Sequence, residues 1–205
     1  MLNKKHMIAA ALLAASWASH ASVITGVTAS TDLGSSFGSS IANIANGVGL
    51  TSYSLTATHN AGTNGNAWVG SRTVGTIDFN LHGSYAITTM AIWNLNAQFP
   101  SYGIKNLTIS SSMDGISYTS LAGAPTVFAM GANFTSEPAE IFSLGLATTA
   151  SYVRFSVASN YGGAAAAMSE VMFATTPLAT VPEPASLALV GVALTALGLN
   201  RRGKS

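Results

Sequence analysis

The sequence contains no cysteine. This absence excludes disulfide bonds, thiolate metal sites and a cysteine nucleophile. Charge is also scarce, because charged residues make up 7% of the chain, whereas a typical soluble protein has about a quarter. A secreted domain of about 150 residues buries enough apolar surface to fold without disulfides, so the lack of cysteine is compatible with export.

Most of the positive charge lies at the two ends of the chain. Five of the eight basic residues occur there, namely Lys4, Lys5, Arg201, Arg202 and Lys204. The central part keeps three basic and six acidic residues, which gives it a net charge of −3. Because no basic patch remains, binding to nucleic acid is not expected.

The first 21 residues have the three parts of a secretory signal peptide. Residues 3–6 are basic, residues 7–18 are apolar, and residues 19–21 place small side chains at the positions that a signal peptidase reads. We predict that residues 1–21 are removed on export. The alternative is an uncleaved N-terminal anchor, for which the apolar stretch is short.

The last part of the chain, residues 177–205, also has three components in a fixed order. It contains Val181-Pro182-Glu183-Pro184, an apolar run at 185–199 and a basic end with Arg201 and Arg202. This order resembles the PEP-CTERM sorting signal of Gram-negative bacteria that make exopolysaccharide. The resemblance implies an exosortase-type processing enzyme as a partner and transient insertion of residues 185–199 into the inner membrane. A permanent single-span anchor is the alternative.

Residues 22–176 are predicted to form one all-β domain, because short β-rich runs alternate with Gly, Asn and Ser. In the run 74–81, Ile77, Phe79 and Leu81 fall on one face, which indicates a half-buried strand. Trp68 and Trp93 lie in apolar β contexts and are expected in the core. Further strands are expected at 86–93, 107–110, 118–121, 141–144, 152–157 and 171–173.

The order of these segments resembles that of discoidin-like (coagulation factor type C) domains. The segments that carry the resemblance are 44–50, 66–69, 77–81, 91–94, 103–106, 109–115, 152–155, 160–163 and 168–171. Together they span roughly residues 43–173. The resemblance implies a galactose-binding-like β-sandwich of the jelly-roll type, flanked by the signal peptide and a C-terminal hydrophobic helix.

Three local features have more than one interpretation. Arg154 lies in the middle of a strand and needs an acidic partner if it is buried, for which Asp78 and Glu170 are the candidates. The alanine run 164–167 is compatible with one helical turn or with a loop. Asp114-Gly115 predicts a tight turn between two strands.

The discoidin-like resemblance implies ligand binding by loops at one end of the sandwich, and the candidate ligand-binding residues lie in such loops. They combine aromatic rings with planar polar side chains, as sugar recognition requires: His59, Asn60, Asn94, Phe99, Tyr102, Asn160 and Tyr161. The alternative is that each is an ordinary polar loop residue.

A structural Ca²⁺ is implied by the discoidin-like resemblance. Many sugar-binding modules of that kind take ligands from a loop near an "N/D-G" element and from a late Glu before the last strand. Asn46 and Glu170 occupy the matching positions here, and calcium accepts several oxygen ligands. The neutral Asn46, where an Asp is common, weakens such a site. The alternatives for Glu170 are an ion pair with Arg154 or a surface acid.

No catalytic motif is present in the sequence. We therefore expect a non-enzyme, an exported binding protein that recognises carbohydrate in the exopolysaccharide or biofilm matrix through loops of a β-sandwich. It would be membrane-tethered before processing and then reside at the cell surface or in the matrix. The alternatives are a structural matrix protein without a discrete ligand and a secreted enzyme acting on polysaccharide.

Overall fold

The chain forms ten strands and two 3-10 helices within residues 22–175, which the computed structural model describes except for the side chain of Leu146. The strands are β1 (Ser22–Val23), β2 (Thr28–Thr31), β3 (Thr58–His59), β4 (Trp68–Val69), β5 (Gly75–Asn94), β6 (Ile104–Ser112), β7 (Thr119–Ser120), β8 (Glu137–Pro138), β9 (Glu140–Asn160) and β10 (Ala167–Thr175). The 3-10 helices are Ile41–Ile44 and Pro100–Tyr102. The fold is all-β, as the sequence predicts.

Two long strands, β5 and β9, form the centre of the main sheet. The strand order is β1-β10-β5-β9-β6-β7, with β2 also paired to β5 and β4 to β10. The strand β2 pairs with residues 77–80 of β5, whereas β10 pairs with residues 87–94 of the same strand. Between these halves the register of β5 against β9 shifts, and His82 has a positive φ of 53°. The sheet therefore folds over at this corner.

Aromatic side chains hold the two halves of the folded sheet together. The ring of Phe79, on the first half of β5, lies 4.9 Å from that of Phe155 and 5.3 Å from that of Phe173 on β10. Both contacts are edge-to-face, an arrangement that aromatic rings prefer. Ile77 and Leu81 are fully buried on the same face as Phe79, which confirms the predicted strand pattern.

Both predicted core tryptophans are fully buried. Trp68 belongs to the main core, and its indole N–H donates to the carbonyl of Gly34 at 3.0 Å. Trp93 packs with Met172 in a smaller cluster, and its indole N–H donates to the carbonyl of Ala57 at 3.1 Å. These bonds satisfy the polar atom that each buried ring brings into the core.

Three local details can be set against the expectations from the sequence. Arg154 pairs with Asp78, with 2.6 Å between Nε and Oδ1, so one of its two predicted partners is confirmed. Residues 164–166 form no helical turn, and β10 begins at Ala167. Glu170 is fully buried and contacts the loop before β3 instead of Arg154, so both alternatives for this residue, the ion pair and the surface acid, are wrong.

Within residues 22–175, no helix is long and apolar enough to cross a membrane. The predicted signal peptide (1–21), the sorting signal (177–205) and its apolar run (185–199) lie outside the described residues. Their boundaries therefore stay predictions.

Candidate functional site

An open groove lies at one end of the sandwich, where β5 ends and β10 begins. Its volume is about 370 Å³, and it is formed by loop segments around residues 37, 62–69, 95–102 and 134. We call it the loop-end groove. Its lining is mostly apolar or amide-bearing: Phe37, Gly62, Thr63, Asn64, Ala67, Val69, Leu95, Ala97, Gln98, Phe99, Tyr102 and Phe134.

The rim of the loop-end groove is aromatic and exposed. The exposed fractions of Phe37, Phe99 and Phe134 are 69%, 57% and 60%. Phe99 and Tyr102 stack with their ring centroids 5.8 Å apart and their planes 28° apart. Leaving three phenylalanine rings in water around one concavity forgoes the free energy of burying them, which indicates a surface that meets a partner.

Two of the rim residues also have strained backbones. Phe37 has φ of 55° and Phe134 has φ of 49°, in the left-handed region that bulky residues rarely adopt. Such strain persists where the surrounding structure over-determines the conformation, and it concentrates at binding sites. The loops therefore keep these two rings in position although the backbone strain costs free energy.

The groove is electrically neutral. Among the described residues that line it there is no Asp, Glu, Lys, Arg or His. Most glycosidases use a pair of Asp or Glu carboxyl groups that flank the scissile bond. The lining residues of the groove do not include such a pair, and their polar groups are uncharged.

Asn94 and Asn160, two of the predicted ligand-binding residues, use their side chains to hold loops. Asn94 Nδ2 donates to the carbonyls of Ile104 and Ala129, both at 2.7 Å, and its Oδ1 accepts from the N–H of Ile104 at 3.0 Å. Asn160 Nδ2 donates to two carbonyls of the loop before β10, including that of Ala165 at 2.7 Å. Both amides are thus satisfied within the protein.

Asn96 is a loop anchor that the sequence analysis missed. It is fully buried, and its Nδ2 lies 2.9–3.1 Å from the carbonyls of His59, Asn60 and Thr135. Its Oδ1 accepts a hydrogen bond from the hydroxyl of Ser169 at 2.8 Å. One side chain therefore joins the loops on both sides of the groove.

The imidazole of His59, another predicted ligand residue, is fully buried. Its Nδ1 lies 2.6 Å from the carbonyl oxygen of Asn60, and its Nε2 lies 3.0 Å from that of Asn66. Burial lowers the pKa of His59, while these carbonyls oppose the shift because each favours a protonated ring nitrogen. The ring closes both ends of the 60–66 loop and does not reach the groove.

Tyr161 and Asn60 also lie outside the groove lining. The Tyr161 hydroxyl donates to the carbonyl of Phe128 at 2.5 Å, and Lys105 Nζ lies 5.4 Å from the Tyr161 ring centroid. The side chain of Asn60 is exposed at the start of the 60–66 loop. Of the seven predicted residues, the structure brings Phe99 and Tyr102 into the groove.

Ten of the twelve lining residues were not among the predicted ligand residues, and those of the ten with aromatic or amide side chains are Phe37, Asn64, Gln98 and Phe134. A signal was available for the two phenylalanines, because each is a single aromatic residue within a run of small polar residues. A core strand rarely has that composition, so an isolated ring there indicates exposure. Asn64 and Gln98 carry no such signal.

The two predicted metal ligands lie outside the groove lining, Asn46 on the loop that precedes β3 and Glu170 on β10. Glu170 Oε2 accepts from the N–H of Gly47 at 2.8 Å, while its Oε1 is buried and has no partner within the described residues. Asn46 is exposed next to Gly47, and its Oδ1 accepts from the N–H of Val48 at 2.9 Å. Burial raises the pKa of Glu170 to about 9.

No three His, Cys, Asp or Glu side chains within the described part of the chain come together as a possible metal site. A cation beside Glu170 would therefore need carbonyl, amide or hydroxyl oxygens as its other ligands, which calcium accepts. The orphaned Oε1 is compatible with this, because a buried acceptor without a partner is unfavourable.

Two sequence-family models match the chain. The F5/8 type C domain matches residues 27–171, and the PEP-CTERM protein-sorting motif matches residues 180–202. The sorting motif indicates an exported protein with a C-terminal sorting signal. A search of the curated proteins finds no match.

Solved structures show the same fold at low sequence identity. CBM32-1 from a family 31 glycoside hydrolase of Clostridium perfringens has a TM-score of 0.51 and 13% identity, over 75% of this chain and 96% of that one. The family 32 CBM of C. perfringens NanJ, in complex with galactose, has a TM-score of 0.50 and 12% identity, over 76% and 99%. A third C. perfringens module, in complex with GalNAc-β-1,3-galactose, has a TM-score of 0.52 and 13% identity, over 74% and 99%. Because the first family model covers more than half of the chain, the protein belongs to the F5/8 type C domain family.

Proposed function

We propose that the loop-end groove binds a neutral carbohydrate of the exopolysaccharide matrix. The observation that carries the proposal is the exposed aromatic rim of Phe37, Phe99 and Phe134 around a neutral concavity. One face of a pyranose ring is apolar and packs on an aromatic ring, while its hydroxyls need hydrogen-bond partners. The stacked Phe99 and Tyr102 rings supply such an aromatic platform.

Polar side chains in the same groove can bind the hydroxyls of the sugar. The side-chain amides of Asn64 and Gln98 line the groove and make no hydrogen bond within the described residues. Each carries two donors and one acceptor, the mixture that neutral sugar hydroxyls require. The volume of about 370 Å³ also lies within the range of small-molecule sites, roughly 300–1,000 Å³.

The fold and the sorting motif give the proposal a context. Two modules of similar fold are in complex with galactose and with GalNAc-β-1,3-galactose, which supports a sugar ligand by analogy of fold. The PEP-CTERM motif supports processing by an exosortase-type enzyme, after which the body is released or stays at the surface.

The test is a glycan array probed with the full-length protein and two variants. We expect selective binding by the wild type, and a loss of about tenfold or more for Phe99→Ala because one sugar-stacking ring is removed. Ile116→Ala is the matched control, since Ile116 is 83% exposed and lies outside the groove. Absence of binding by the wild type would instead support a structural matrix protein, and equal binding by Phe99→Ala would reject the groove.

We further propose that Glu170 and Asn46 hold a structural Ca²⁺. The proposal is supported by the buried Glu170 Oε1, which lacks a partner within the described residues, and by the nearby exposed Asn46. When bound, the ion would supply a positive charge that stabilises the Glu170 carboxylate, and it would fix the loop at Gly47 against β10. The calcium dependence of stability in Glu170→Gln tests it.

A further inference from the structure

A second cavity, of about 300 Å³, lies on the outer face of the folded sheet. It is formed where β2, β5 and β9 are neighbours and where the hairpin after β6 approaches them. We call it the sheet-face cavity. It shares no residue with the loop-end groove and is lined by Thr28, Ala29, Ser30, Asp78, Asn80, Gly115, Tyr118 and Tyr152.

The sheet-face cavity contains a set of oriented polar atoms. Asn80 Oδ1 accepts from the N–H of His82 at 2.8 Å, and this bond fixes the amide with its Nδ2 donors unused. The hydroxyls of Ser30, Tyr118 and Tyr152 also make no hydrogen bond within the described residues. Donors and acceptors therefore face the same space from three strands and the hairpin.

A bidentate ion pair fixes the floor of the cavity. Arg154 Nε and Nη2 donate to the two carboxylate oxygens of Asp78 at 2.6 and 2.9 Å. The Arg154 guanidinium lies 4.0 Å from the ring centroid of Tyr118, so it covers one face of that ring. These contacts hold Asp78 and Tyr118 in place before any ligand arrives, which reduces the entropy cost of binding.

A glycine lets the hairpin approach the Tyr152 ring. Gly115 has φ of +73°, and a Cβ at this position would lie 3.3 Å from that ring. The ring and the hairpin backbone therefore lie in close contact. The cavity wall is thus a half-buried aromatic ring beside polar side chains, a combination that suits a small-molecule site.

The charges around the cavity select for a ligand without negative charge. Asp78 and Arg154 neutralise each other, so no unpaired cation is available there. Asp114 lies on the same hairpin with its carboxylate exposed to solvent. This negative charge beside the cavity disfavours an acidic polysaccharide.

We propose that the sheet-face cavity is a second carbohydrate site that takes a neutral glycan. The glycan hydroxyls bind Asn80, Ser30 and the two tyrosine hydroxyls, and a sugar ring packs beside Tyr152. This site is separate from the loop-end groove, and its ligand class follows from its own residues. With two sites, one protein molecule can link two polysaccharide chains or bind one chain with increased avidity.

The experiment is affinity electrophoresis of the full-length protein in gels that contain galactomannan, glucomannan, dextran or, as the acidic probe, alginate. Phe99→Ala weakens the first site by about tenfold or more and is the background for the test. In this background, we expect retardation by a neutral polysaccharide to persist and to weaken about fivefold or more with Asn80→Asp. Asn80→Asp keeps the oxygen that accepts from His82 but replaces the two donors by a charge.

The double substitution Tyr118→Phe/Tyr152→Phe is the second variant, because it removes two hydroxyls and keeps both rings. Tyr85→Phe is its matched control, since Tyr85 lies outside the cavity lining and its hydroxyl makes no hydrogen bond within the described residues. Weakening by the double variant and not by the control supports the site. Complete loss of retardation in Phe99→Ala alone overturns the second site and leaves the first intact. Three other outcomes also overturn the second site. They are residual retardation that is the same in all cavity variants, retardation by alginate alone, and no retardation of the wild type.

Discussion

At the scale of single residues, Glu170 couples stability to pH. Burial raises its folded-state pKa to about 9, from an ordinary value of 4.5. Below pH 4.5 the carboxyl is protonated in both the folded and the unfolded chain, so its burial costs least there. Between pH 4.5 and 9 the unfolded chain releases the proton while the folded chain keeps it, and stability is lost as pH rises.

Bound calcium is expected to reverse this dependence, because it favours the Glu170 carboxylate in the folded state. Without calcium, the melting temperature should fall between pH 5 and pH 8, and excess calcium should raise it more at pH 8 than at pH 5. Thermal unfolding with calcium or with chelator measures both effects. Glu170→Gln, which keeps an oxygen for the N–H of Gly47, should remove the calcium effect and this part of the pH dependence.

The control for this experiment is Glu140→Gln. The Glu140 carboxylate also accepts a hydrogen bond from a backbone N–H, that of Ala129, but this bond is exposed to solvent. It should retain both the calcium effect and the pH dependence. If calcium stabilises Glu170→Gln as much as the wild type, the ion binds elsewhere and the assignment to Glu170 fails.

At the scale of elements, buried asparagines fasten the loops of the groove end to the strands. Asn96 follows directly after β5 and contacts the carbonyls of His59 and Asn60 on one side and that of Thr135 on the other. The 60–66 loop and the loop at Phe134 both contribute to the groove. The shape of the groove therefore depends on a side chain that does not line it.

Asn96→Ala is expected to lower the free energy of unfolding by about 3 kcal/mol, because it leaves several buried carbonyls without a donor. Glycan affinity should fall as well, since the loops on both sides of the groove lose their anchor. Denaturant titration and glycan binding measure the two effects. The contrasting variant is Asn64→Ala, which should weaken binding and leave stability unchanged. An Asn96→Ala protein of wild-type stability would contradict this role.

The strands were predictable from the sequence, whereas the roles of the loop residues were not. The alternation of Ile77, Phe79 and Leu81 is a local pattern, and it identified the buried face correctly. Asn94 and Phe99 were also predicted from local sequence, as ligand-binding loop residues. In the structure Asn94 anchors a loop, whereas Phe99 lies on the rim of the groove. Their difference depends on partners such as the carbonyl of Ala129, which only the folded chain brings near.

At the scale of the whole molecule, the groove lies at the end of the sandwich opposite to the one where β10 ends at Thr175. The strand β10 begins at Ala167, next to the groove residues Val69 and Leu95, and ends at Thr175, just before the sorting motif at 180–202. Nine residues of strand span about 30 Å. Because β1 pairs Ser22 with Thr175, both ends of the described chain emerge at the side away from the groove.

Attachment through the C-terminus should therefore leave the groove open to polysaccharide. The chain has no cysteine, so single cysteines allow attachment to a sensor surface at defined points. A cysteine appended after Ser205 should give a surface that binds the array-selected glycan with the affinity of the free protein, whereas Gln98→Cys attachment should remove the part of the binding that the groove provides, because Gln98 lines the groove. Attachment through Ser120→Cys, on the short edge strand β7, is the control for the effect of immobilisation itself. The protein attached there should bind the glycan normally. If C-terminal attachment blocks binding as Gln98→Cys does, the polymer is not bound at the loop end, and a tethered molecule cannot present the groove outward.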